Sequence, residues 1–247
     1  MKKIFLMIAL CCLVSGNARA GIDWEAKGME LIGEIVANPA AFFYDFQQDL
    51  EATTPLPPGK SFGFQTGLFP TLLPLGYVNG SLKVRLHPEG RWAPGVPQID
   101  LIGGYQNMIL AKMAANQSDD MEDAEFYGYY TGLLVTTSVS PKVRTFYGYK
   151  RSQLKAKLNF AAGSEPELLG TTVSSFNTGL KDDFLIFGIE TLKSANKFWS
   201  LQLNYGLKEN IITSKVSWYG KWFELGLNIY PEGVLVVHPV WNFHLNF

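Results

Sequence analysis

G-V-L-V-V-H-P-V-W-N-F-H-L-N-F, Gly233 to Phe247, closes the chain. From Leu235 every second residue is apolar: Leu235, Val237, Pro239, Trp241, Phe243, Leu245 and Phe247. A period of two belongs to a strand with two unlike faces and not to a helix. The other parity, Val236, His238, Val240, Asn242, His244 and Asn246, turns polar over its second half. Twelve residue steps at ~3.3 Å make a strand of about 40 Å. Tilted by ~45°, that strand rises about 28 Å, close to the hydrocarbon thickness of a bilayer.

The same rhythm recurs upstream. Val78, Gly80, Leu82, Val84 and Leu86 alternate with Asn79, Ser81, Lys83 and Arg85. Trp199, Leu201, Leu203 and Tyr205 alternate with Ser200, Gln202 and Asn204. Read from Ser61 onward, the alternation gives ten strands: 61–69, 76–87, 97–111, 124–138, 142–160, 184–192, 198–207, 210–219, 221–230 and 234–247. The expected fold is all-β: a transmembrane, antiparallel, up-and-down β-barrel over 61–247. An even strand number is what single-chain bacterial barrels have. The bounds are eight to twelve, because 142–160 changes phase near Tyr149–Gln153. A soluble sandwich also alternates. The length of the last strand and aromatic residues near strand ends, such as Trp199, Tyr205 and Trp241, favour the membrane barrel. Pro239 strains that reading, since it removes a ladder hydrogen bond from a sheet with no free edge.

The ending on Phe243, Leu245 and Phe247 resembles the C-terminal signal strand of Gram-negative outer-membrane β-barrel proteins. The resemblance implies a place in the outer membrane, with its lipid and the barrel-assembly machinery as partners. It implies no particular activity.

The N-terminus agrees with export. Lys2 and Lys3 precede the apolar run Ile4–Val14, and Ala18-Arg19-Ala20 has the small-x-small form of a signal-cleavage site at Ala18 and Ala20. Residues 1–20 are therefore expected to be a removed signal peptide. Both cysteines, Cys11 and Cys12, leave with it. Three basic residues and no acid also leave, so 18 basic residues face 22 acidic ones at a net charge of −4. That balance gives no reason to expect nucleic acid as a partner.

Residues 21–52 form the helical part, an amphipathic segment expected to cap or plug the barrel at its periplasmic end. Asn38-Pro39 is a helix-start signal, followed by Phe42, Phe43, Phe46 and Leu50 at helical spacing. Its other face carries Asp45, Asp49 and Glu51, whereas helices lying on membranes favour Lys and Arg. Residues 53–60, with three prolines, are the linker into the sheet.

Polar residues on the inward parity are the candidate lumen lining: Lys83, Arg85, Asp100, Glu190, Lys215, Glu224, His238 and His244. Lys155 and Lys157 join them on the same parity, an assignment that the phase change upstream weakens. Buried charges of both signs need partners, so these residues form either an internal network or a selectivity lining. No metal-ligand spacing stands out, and no cofactor is expected. The leading functional expectation is a narrow pore or carrier for small or apolar solutes, with a small apolar ligand as a further partner. A closed structural or interaction barrel is the alternative. A lipid-modifying enzyme comes third. A helix ahead of a small barrel is similar to lipid A palmitoyltransferase, but no serine stands beside His238 or His244 in the last strand to make a local pair. The chain is not expected to be an enzyme.

Overall fold

Side chains that alternate in polarity must point to opposite faces of a strand, and a sheet whose two faces differ can close around one of them. The computed structural model describes residues 39–69, 78–109, 112–113, 121–163, 167–168, 171–172, 175–194, 196–231 and 236–247. In it a helix, α1 (Pro39–Leu50), precedes β1 (Phe62–Phe69), β2 (Val78–His87), β3 (Gln98–Asn107), β4 (Met121–Ser140) and β5 (Val143–Phe160). A two-residue hairpin, β6 (Glu167–Leu168) and β7 (Thr171–Thr172), follows. The chain ends with β8 (Ser175–Ser194), β9 (Lys197–Gly206), β10 (Ile212–Tyr219), β11 (Phe223–Ile229) and β12 (Val237–Asn246). Ten of these strands, all but β6 and β7, close an antiparallel barrel in which β1 pairs with both β2 and β12. The first and last strands are locked end to end: Ser61 N donates to Phe247 O at 2.7 Å, and Phe247 N donates to Phe62 O at 2.8 Å.

Leu82, Leu133, Phe187, Leu201 and Leu225 point outward and are exposed, whereas Lys83, Leu134, Ile186, Gln202 and Glu224 point inward and are buried. No described helix is long and apolar enough to cross a membrane. The candidate signal segment 1–20, the first helical half up to Asn38, and residues 70–77 between β1 and β2 lie outside the described residues.

Three local expectations change. β5 runs through Tyr149–Gln153 with no break, each residue from Val143 to Asn159 in register with β8. Its inward side chains are Arg144, Phe146, Lys150, Ser152, Leu154 and Ala156, so Lys155 and Lys157 point outward. What changes is the surroundings of the outward face, not the backbone phase. Past Tyr149 that face carries Arg151, paired with Asp183, and Lys157, paired with Asp123. Secondly, β4 and β8 are longer than the alternation indicated: β4 begins at Met121 and not at 124, and β8 at Ser175 and not at 184. Thirdly, Pro239 costs the ladder little. Tyr230 N donates to Val236 O and His244 N to Trp222 O, so alternation makes Leu227–Pro239 a non-hydrogen-bonded pair. The missing N–H faces the β1 side, where the register among the described residues reaches from Asn246 to Trp241.

The chain from α1 does not stay outside the wall. Glu51 to Pro57 is buried at every residue. It is an extended strap without a strand ladder, so its backbone groups need other partners, and the inner wall supplies them. Ala52 N donates to Tyr130 Oη at 2.8 Å, and Leu56 N donates to Asp100 Oδ2 at 2.8 Å. The Leu56 carbonyl accepts from Arg85, Gln98 and Arg144. Two wall glycines make room: a Cβ at Gly67 would overlap the Leu50 side chain, and one at Gly128 would overlap Gln47. The lumen is therefore filled by the protein's own N-terminal segment.

Gly67→Val should press on Leu50 and loosen the strap while leaving the wall closed, at a cost of about 1–3 kcal/mol. Faster limited proteolysis of residues 44–57, with unchanged heat-modifiable migration on gels, is the expected result. Unchanged proteolysis would show that the contact is not tight.

Candidate functional site: a plugged lumen

Each inward charge of the wall arises from strand parity, and each meets a partner. Arg85 Nε lies 3.2 Å from Asp100 Oδ1 across the β2–β3 pair. Lys215 Nζ lies 2.6 Å from Glu224 Oε1. Glu224 also accepts from Ser217 at 2.8 Å and Asn242 at 2.8 Å. Glu190 pairs with Arg144 on the neighbouring strand. Lys83 Nζ donates to Thr54 Oγ1 of the strap at 2.9 Å. His244 faces inward, its Nδ1 3.0 Å from Asn246 Nδ2 and its ring 5.6 Å from Tyr219. His238 Nδ1 lies 2.6 Å from Asp49 Oδ2 of α1. All eight lumen candidates are thus inward, but they do not form one cluster. Arg85 and Asp100 meet Leu56 of the strap and Lys83 meets Thr54, whereas Glu190, Lys215, Glu224 and His244 find their partners on the wall. His238 stands apart at α1.

Four further groups complete the site: Arg144 and Lys150 on β5, and Asp49 and Glu51 on the N-terminal segment. Parity could have found the first two, because Arg144 and Lys150 share a face with Phe146 and Ser152 once the strand is read without a phase shift. The acids sat on a helix face whose partner lies almost a hundred residues or more away in the chain, where no local period can point.

Those acids are held from the wall. Asn228 Nδ2 and Tyr230 Oη both donate to Asp49 Oδ1, at 2.5 and 2.7 Å. Together with His238 on Oδ2, both oxygens of Asp49 are engaged. Glu51 Oε1 accepts from Ser152 Oγ at 2.6 Å, and Oε2 meets Lys150 Nζ in an ion pair. Burial in α1 pushes the Asp45 carboxyl up to about 7, with His238 opposing the rise and Asp49 adding to it.

The lumen holds an apolar cluster and a small polar cavity. Ile102, Tyr130, Leu134, Phe146 and Ile186 fill the β3–β4–β5–β8 side with an apolar cluster. Gln48, Thr53, Lys150, Gln202, Thr213 and Lys215 help line a polar cavity of about 10 Å³, room for about one water molecule. Among the described residues no group of three His, Cys, Asp or Glu could hold a metal ion. Tyr149 and Arg151, outside the wall, both donate to Asp183.

Comparison with known proteins adds no relative: no family model, no curated protein and no solved structure matches the chain.

Glu51→Gln should leave the Lys150 ammonium buried without its counter-charge, a loss of about 3–5 kcal/mol. Lys150→Gln should cost a comparable amount, and the double variant clearly less than the two combined. Urea unfolding of the refolded chain in detergent reads the coupling. Additive losses would mean that the pair does not act as a unit.

Proposed function

We propose that the protein is a barrel of the Gram-negative outer membrane that conducts small polar solutes when its N-terminal segment withdraws from the lumen. The membrane part of this reading is supported by the ring of outward apolar side chains, since soluble monomers rarely expose continuous apolar surface on this scale. Aromatic residues stand near both rims: Phe62 and Phe247 pack at 6.3 Å between ring centres at one, and Tyr129 and Tyr149 lie toward the other. With the short turns at Ser140–Val143 and Gly220 on the periplasmic side, as such barrels have them, α1 occupies the outer half of the lumen and not the periplasmic end.

One observation carries the conducting part. The contacts between strap and wall are predominantly polar, and the wall behind them is polar too: Gln65, Ser81, Gln202, Asn204, Thr213 and Asn228 all face inward. Water can replace such contacts at low net cost, because a hydrogen bond exchanged for one to water changes free energy by only ~1 kcal/mol. A withdrawn strap would leave a wettable passage. Small polar solutes suit that passage better than the apolar ones that the sequence left open.

A second reading, a permanently closed barrel that works through its surface, is favoured by the completeness of the filling. A lipid-modifying enzyme has less support, since His238 and His244 face the plug and Tyr219 inside the wall, away from lipid.

Conductance separates the readings. In the chain from Gly21, Leu50→Cys with Gly67→Cys would place two thiols where those residues now touch. The oxidised form should be silent in a planar bilayer, and reduction should restore brief channel openings. A folded, inserted protein that stays silent when reduced, and also when Glu51→Gln is added, would favour the closed barrel. Placement is tested apart from conduction. Phe247→Asp should reduce the heat-modifiable, folded protein recovered from outer membranes several-fold, and a normal yield would count against the assembly-signal reading.

A further inference from the structure

The wall treats Asp49 and Glu51 as ligands. We infer that the two wall sites holding them are carboxylate-binding sites of the passage itself, so that the plug is a tethered stand-in for an anionic, carboxylate-bearing solute. This rests on the conducting reading and names its solute class.

A carboxylate presents two oxygens in one plane, and a site built for it supplies donors to both. The first site meets that requirement with three side chains from two adjacent strands. Asn228 and Tyr230 on and beside β11 reach one oxygen of Asp49, and His238 on β12 reaches the other. The second does so from one strand: Ser152 reaches one oxygen of Glu51 and Lys150 the other. Gln47, from the plug's own helix, adds a longer bond of 3.3 Å to the Glu51 oxygen that Ser152 reaches. Every other donor named here belongs to the wall and would remain after the plug withdrew.

Between the two sites lies the polar cavity, whose lining includes Lys150, Asn228 and Tyr230 from both of them together with Lys215. Withdrawal of the strap would also free Lys83 from Thr54, and Arg85 and Arg144 from the Leu56 carbonyl. The three carboxylates of the segment, Asp45, Asp49 and Glu51, would leave with it. What stays is a passage with less negative charge than the closed state and two ready sets of carboxylate donors, on β5 and on β11–β12. A free carboxylate would compete with the plug for both sets, so the solute would favour its own passage by displacing the gate.

The test uses the chain from Gly21, succinate as probe and chloride at equal ionic strength as control. Thr53→Cys introduces one thiol in the buried strap, beside Gln202. Succinate should speed its labelling by a water-soluble maleimide about tenfold, the factor that one charge-assisted hydrogen bond commands. Adding Lys150→Gln and Tyr230→Phe should abolish the acceleration while leaving labelling in chloride measurable. Labelling indifferent to succinate overturns the inference whatever the conductance shows. In a bilayer, the plug variant Asp49→Asn with Glu51→Gln leaves the wall intact, and its openings should reverse on the anion side of a salt gradient and be blocked by succinate. Cation-selective openings that ignore succinate would overturn the carboxylate assignment and leave the passage standing. Silence of that variant, with labelling still accelerated, would overturn the passage and leave the binding sites.

Discussion

The pairing of β1 with β12 is the constraint from which the rest of the molecule follows. A sheet open at that seam would expose two edges of unpaired N–H and C=O groups. Closure pairs Gly63 to Phe69 with Asn246 back to Trp241 and ties Ser61 and Phe62 to the last carbonyl of the chain. Once the ring is closed, alternation leaves each strand residue only two destinations. Leu225 must meet the surroundings and Glu224 must meet the interior. The chemistry of the lumen is thus set by the same register that closes the wall.

Ten strands enclose slightly more space than side chains of a smaller ring would fill, and much of what points into it here is charged or amide-bearing. Such groups cannot be left dry without partners. Some find them along the wall, as Arg85 does in Asp100. The interior is completed by a strap that brings what the wall lacks: carbonyls for Arg85 and Arg144, a hydroxyl for Lys83, and carboxylates for Lys150 and His238. Wall and strap are therefore one network.

The sequence made the wall legible because a period of two survives wherever the two faces meet different surroundings. It held in β2, β9 and β12, and with it the inward places of Lys83, Lys215, Glu224 and His244. It failed in the middle of β5 because polarity there reports two changes at once. Arg151 and Lys157 are outward residues past the apolar band, so the pattern mimics a shift of register that the backbone never makes. The early start of β8 was hidden for the same reason: Asn177, Gly179 and Lys181 lie on an outward face with no apolar belt to mark it. The strap was hidden more deeply. Nothing local in Glu51–Pro57 distinguishes a linker in water from one threaded through a barrel, since its partners, from Lys83 to Gln202, are supplied by the closed ring.

The chemistry of that threading separates a plug from a core. An apolar core is held by surface that water cannot serve, so removing it costs free energy in proportion to the area exposed. On the β3–β4–β5–β8 side the lumen has such a core in Ile102, Leu134, Phe146 and Ile186, and all four belong to the wall. The strap's hydrogen bonds run to polar groups, and most of them have counterparts in water or in another anion, while Tyr44 of α1 packs with Leu154 and Phe184. The strap's stability thus depends on many small differences and on two buried carboxylates whose loss would be costly unless something replaced them. A segment held in that way, and joined to β1 by the exposed turn at Pro58–Lys60, is fastened by contacts that other polar groups could replace one by one, which is what the proposed gating requires of it.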